Sequence, residues 1–82
     1  MKKRIEIFTS PIHLSATVFI RDEHGLLTSY KIKNKELIDF ISKFDNIEEI
    51  NITGAKSYTN KIKEQLASHI SDKDCKFTLR SK

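Results

Sequence analysis

The chain has 82 residues, a formal net charge of +4 and a hydrophobic fraction of 38%. That length holds one domain, residues 1–82, with a modest core, and 2 glycines with 1 proline leave no linker, low-complexity tract or glycine-rich phosphate loop. No apolar run reaches the length of a membrane span.

The basic start Met1-Lys2-Lys3-Arg4 is followed by Ile5-Glu6-Ile7-Phe8-Thr9-Ser10-Pro11, which lacks the apolar stretch of an export signal. Arg4 to Thr9 reads as a strand because Ile5 and Ile7 alternate with Arg4 and Glu6. Ser10-Pro11 breaks it, since proline has no N–H to offer a ladder. A second strand runs from about Leu14 to Arg21. Ala16, Val18 and Ile20 take one side and Thr17, Phe19 and Arg21 the other. Asp22-Glu23-His24-Gly25 is a tight turn in which Gly25 is free to adopt a positive φ. The third strand, about Leu26 to Lys33, sets Thr28, Tyr30 and Ile32 against Leu27, Ser29 and Lys31.

The period then changes from two to about 3.6. Asn34 is the expected N-cap. Leu37, Phe40, Ile41 and Phe44 form one helical stripe, with Glu36, Asp39 and Lys43 opposite. Asp45-Asn46 ends that helix, and Glu49 to Thr53 is a short strand closed by Gly54. A second helix is expected over about Ser57 to Ser71, with Tyr58, Ile62, Leu66, His69 and Ile70 on its inner face. Ser71-Asp72-Lys73-Asp74 is a polar turn. A last strand, Cys75 to Arg80, turns Cys75, Phe77 and Leu79 inward. The single cysteine cannot form an internal disulfide, so a reducing, cytoplasmic setting is expected and the thiol reads as buried and inert.

The element order β-β-β-α-β-α-β, an antiparallel meander followed by two crossovers, resembles the core of the ribonuclease H-like fold. The resemblance covers nearly the whole chain but is one of element order, not of motif. It implies a five-stranded mixed α/β sheet of order 3-2-1-4-5. Right-handed crossovers running in one direction put both helices on one face. The strict alternation of the outer strands agrees, because a sheet covered on one side alternates and a doubly covered one does not.

Nucleases of that fold hold two metal ions, about 4 Å apart, with carboxylates from the first strand, the first helix and the end of the fourth strand. Here the first strand offers only Glu6, the fourth ends in Thr53-Gly54, and Glu36 and Asp39 sit on the solvent side of the first helix. His13, His24, His69 and Cys75 lack metal-ligand spacing. No catalytic residue, metal or cofactor is therefore assigned. Gly54-Ala55-Lys56-Ser57 resembles the end of a phosphate loop without its upstream glycine. Gly54, Lys56 and Ser57 remain a candidate anion site at a helix N-terminus, against an ordinary junction with Ser57 as the cap. Asn51-Ile52-Thr53 fits a glycosylation sequon but lies in a central strand.

The uncovered sheet face is the remaining candidate. It is expected to carry Arg4, Glu6, Phe8, Thr17, Phe19, Arg21, Leu27, Ser29, Lys31, Lys33, Asn51, Thr53, Lys76, Thr78 and Arg80. Of these, Arg4, Phe8, Phe19, Arg21, Lys31, Lys33, Lys76 and Arg80 are the candidate partner-binding residues. The reading is a non-catalytic binding or adaptor domain working through protein contact, including self-association along the last strand, as a small phage-type inhibitor would. The alternative is a nucleic-acid platform, with rings for bases and cations for phosphates. No membrane partner is expected.

Overall fold

The computed structural model describes residues 3–9, 12, 14–70 and 74–81. The expected break at Ser10-Pro11, His13 and most of the expected polar turn at Ser71-Asp72-Lys73 lie outside the described residues. The chain forms β1 (Lys3–Phe8), β2 (Ser15–Arg21), β3 (Leu27–Lys33), a 3₁₀ turn (Asn34–Glu36), α1 (Leu37–Ser42), β4 (Ile47–Gly54), α2 (Lys56–His69) and β5 (Lys76–Ser81). The five strands make one mixed sheet in the order β3-β2-β1-β4-β5. β1 is antiparallel to β2 and parallel to β4, and β5 is parallel to β4.

Alternation sorts the sheet into two faces. Ile5 and Ile7 of β1, Ala16, Val18 and Ile20 of β2, and Ile50 and Ile52 of β4 are buried together with Leu37 and Ile41 of α1 and Ile62 and Leu66 of α2. Both helices therefore cover the same face, and the core is a single layer between them and the sheet. At about 25 cal/mol per Å² of apolar surface removed from water, each of these valine, leucine and isoleucine side chains contributes roughly 1.5–3 kcal/mol. The coverage is incomplete at one edge. α1 has only six residues, and β3 is exposed along nearly its whole length.

The β2–β3 hairpin is held by the chemistry of its turn. Asp22 Oδ1 accepts hydrogen bonds from the His24 and Leu26 N–H groups at 2.9 and 3.0 Å. The Gly25 N–H donates to Asp22 O at 3.1 Å. Gly25 has φ +82°, the left-handed conformation that glycine adopts without a steric penalty. Gly54 is needed for a different reason. A β-carbon there would press on the Thr9 carbonyl oxygen more closely than real β-carbons approach one, and would stand 3.3 Å from the Thr9 carbonyl carbon and Cγ2.

Three local expectations are corrected. Asn34 is not the N-cap of an α-helix. Its N–H still bonds Leu14 O at 2.8 Å, as if the hairpin ladder continued, and a 3₁₀ turn carries the chain into α1. Ser57 does not cap α2, because the N-cap is Ala55, which makes no side-chain cap bond. His69 is exposed, not on the inner face. Its Nδ1 lies 2.7 Å from Gln65 O, and buried Thr59 takes the inner position one turn before Ile62 and Leu66. Cys75 is half-buried against the edge of the core.

Candidate functional site

The register of the sheet turns the open face into a grid of cross-strand rows. One row reads Lys31, Thr17, Phe8, Thr53, Arg80 from β3 to β5. The next reads Ser29, Phe19, Glu6, Asn51, Thr78, and the third reads Leu27, Arg21, Arg4, Glu49, Lys76. Lys33 pairs with Ser15 beyond the first row. At about 4.8 Å per strand, a row spans roughly 19 Å.

This grid segregates charge. The first row and Lys33 contain three cations, two threonines and a phenylalanine, and no carboxylate. Phe8 is 37% exposed, and its ring meets Phe19 edge-to-face at a centroid distance of 5.8 Å. Thr17 and Thr53 flank Phe8, with a cation at each end of its row, and Phe19 sits between Ser29 and Glu6.

The third row mixes charges, with Arg21, Arg4 and Lys76 set among Glu49 and the neighbouring Glu48. Between Lys3 and Arg4 the β1–β4 register shifts, so that Lys3 faces Ile47 and Arg4 faces Glu49 while Glu48 is the extra residue of a bulge. The Arg4 Nε donates to Glu48 Oε2 at 3.0 Å. That hydrogen bond, then the charges of Glu48 and Glu49, hold the exposed guanidinium above its ordinary pKa. Thr78 Oγ1 donates to Glu49 Oε2 at 3.5 Å. A hollow of about 470 Å³ at this end is lined by Arg4 and Arg21 but also by Asp22, Glu23 and Glu48, so the carboxylates outnumber the cations there.

All the candidate partner-binding residues fall on the open face, but they do not act as one patch. Phe8, Phe19, Lys31, Lys33 and Arg80 cluster toward the C-terminal end of β1. Arg4, Arg21 and Lys76 lie at the other end among carboxylates. Glu49 belongs to this face and was missed because the expected strand began at it. The signal that would have found it is its parity with Asn51 and Thr53.

The candidate anion residues meet at one strand-to-helix junction. Gly54 is buried at the end of β4, and Lys56 and Ser57 are exposed in the first turn of α2. The acids named for comparison with two-metal nucleases are split between layers. Glu6 is on the open face, and Glu36 and Asp39 are exposed on the helical side. Among the described residues no group of three or more His, Cys, Asp or Glu side chains is placed to hold a metal ion. No helix among them is long and apolar enough to cross a membrane. Comparison with protein-family models, with curated proteins and with solved structures finds no match to this chain.

Proposed function

We propose that this chain is a binding module whose open sheet face takes single-stranded nucleic acid along the row Lys31-Thr17-Phe8-Thr53-Arg80. The observation that carries the reading is the placement of the carboxylates by register: the row with Lys31, Phe8 and Arg80 has none, whereas the cations at the other end stand among Glu48 and Glu49. A single strand offers unstacked bases for Phe8 and Phe19 and phosphates for Lys31, Lys33 and Arg80. A duplex hides its base faces and is the poorer ligand. The ribonuclease H-like strand order is compatible with this reading as an element-order likeness alone, because fold does not assign function.

Fluorescence anisotropy of a labelled single-stranded oligonucleotide tests it. Three phosphate contacts at about 0.7 per contact give a slope of roughly −2 for log K against log salt. Lys31→Glu combined with Arg80→Glu abolishes binding, while Lys63→Glu on the exposed side of α2 leaves it intact. Absence of binding at low salt refutes the proposal, as does equal loss in the Lys63→Glu control.

A second reading, contact with a protein, is favoured by a separate observation. The β3 edge exposes Leu26, Leu27 and Tyr30 at 67%, 52% and 36%, and exposed apolar side chains along an open strand are what a protein partner covers.

A further inference from the structure

We infer that β3 pairs antiparallel with β3 of a second copy, in a register centred on Tyr30, to make one continuous ten-stranded sheet. This inference names the partner for the protein-contact reading and is independent of nucleic-acid binding.

β3 and β5 are the two edges of the sheet. β5 is half-buried along Phe77, Thr78 and Leu79, and its cations bracket its centre. β3 is the more exposed edge. It has seven residues, LTSYKIK, with no proline, and its pairing with β2 shows no bulge. Lys31 and Lys33 are the one edge-blunting device it carries, so a second strand must be placed to keep those lysines apart.

The outward-facing backbone groups follow from the ladder. Asp22 N–H donates to Leu26 O at one end, and Asn34 N–H donates to Leu14 O at the other. Hydrogen-bonded pairs alternate along an antiparallel ladder. Between those ends the bonded pairs are therefore Ile20 with Thr28, Val18 with Tyr30, and Ala16 with Ile32. The N–H and C=O groups of Leu27, Ser29, Lys31 and Lys33 point away from β2.

Only registers that bond those four residues to each other are open to a second β3. Centring on Lys31 sets that lysine opposite its own copy, and moving further along sets Lys31 opposite Lys33. Both oppose like charges directly, which destabilises a strand pair. Centring on Ser29 avoids this but pairs only five residues. Centring on Tyr30 pairs all seven, with Ser29 opposite Lys31 and Leu27 opposite Lys33, each twice. The polar-neutral half of the strand meets the basic half, and no lysine directly faces another.

The helical side of the same register agrees. Tyr30 falls opposite its own copy in a non-hydrogen-bonded pair, the closer of the two kinds. Its ring already packs on Phe40 at 5.0 Å, and Phe40 on Phe44 at 5.3 Å. The two-fold axis joins two such stacks through the exposed tyrosines. Because that axis is perpendicular to the sheet, both open faces lie on the same side.

Sedimentation velocity over a micromolar-to-millimolar series, without nucleic acid, tests the inference on Ser29, which is exposed and tolerates substitution. Ser29→Glu sets a carboxylate opposite each Lys31 and tightens the dimer about two- to thirtyfold, given cross-strand pairs of roughly 0.2–1 kcal/mol made twice. Ser29→Lys loosens it by a similar factor. Amide exchange slows with concentration at Ser29 and Lys31 but not at Tyr30, whose N–H is already bonded to β2. A strictly monomeric protein at millimolar concentration overturns the inference. So does loosening by Ser29→Glu, which is the signature of the Ser29-centred register, or indifference to both variants. Loss of oligonucleotide binding alone leaves it standing.

Discussion

Gly54→Ala is expected to be among the most damaging single-methyl additions to this chain. The new β-carbon meets the Thr9 backbone, not the yielding end of a side chain. To relieve it, the C-terminal ends of β1 and β4 must separate by roughly 1 Å, until an ordinary C···O contact of about 3.3–3.6 Å is restored. Thr9 N–H donates to Thr53 O at 2.9 Å across that same gap. Overpacking of this kind costs about 1–3 kcal/mol, and weakening the adjoining hydrogen bond adds about 1 kcal/mol. The sum, roughly 2–4 kcal/mol, is a large share of the few to about 12 kcal/mol available to a domain of this length. Urea unfolding followed by far-ultraviolet circular dichroism measures it. The midpoint falls while the slope m stays constant, and a thermal midpoint drops by about 10–25 °C at 4–8 °C per kcal/mol. A loss below 0.5 kcal/mol would show that the two strand ends part without strain and would refute the argument from close approach.

The other glycine gives the contrast. Gly25→Ala meets no atom within 4 Å and loses only about 1–2 kcal/mol for a left-handed backbone; Gly25→Asn recovers part of that loss, whereas Gly54→Asn is worse than Gly54→Ala. Leu66→Ala, at a fully buried site, costs about 2–5 kcal/mol, read by the same denaturation. Phe8→Ala weakens single-strand binding by up to about 1–3 kcal/mol with little change in unfolding midpoint, because the ring lies on the open face; an unchanged affinity removes Phe8 from the site. The charge on Arg4, whose pKa is raised by its hydrogen bond to Glu48 and by the charges of Glu48 and Glu49, is lost only in strong alkali, so Arg4→Met leaves the slope of a pH–stability profile unchanged from neutral to mildly alkaline pH.

The faces of the strands were legible because alternation is a local property. Ile5 and Ile7, or Val18 and Ile20, declare the buried side without knowledge of their neighbours. The strand order was what the resemblance in element order to the ribonuclease H-like fold implied, and the sheet has that order. The segregation of charge was not legible, because it depends on register. Lys31 and Arg80 share a row only through four successive pairings, one of them displaced by the bulge at Glu48. In sequence, Glu48-Glu49 looks like two equivalent surface acids, yet one is extruded and the other joins the open face. The start of the first helix was misread for a related reason. Asn34 has the side chain of an N-cap, but its backbone is still committed to Leu14 across the hairpin, and tertiary constraint overrides capping preference there. His69 was placed inward by helical phase alone, and the phase could not show that Thr59 would fill the inner stripe.

Among the described residues, nine of the thirteen buried hydrophobic residues are isoleucine and none is phenylalanine or tyrosine; Phe40, Phe44, Tyr58 and Phe77 pack against that core half-buried. The chain has no tryptophan and only two tyrosines: Tyr30 on the β3 edge, and half-buried Tyr58 on the helical side. Tyr58 packs against the isoleucine interior, whereas Tyr30, with Phe40 as its near neighbour, reports on the edge strand. A Tyr58→Phe variant would leave that edge as the sole emitter, so that association between copies is read in the fluorescence of the unlabelled protein while circular dichroism follows folding separately.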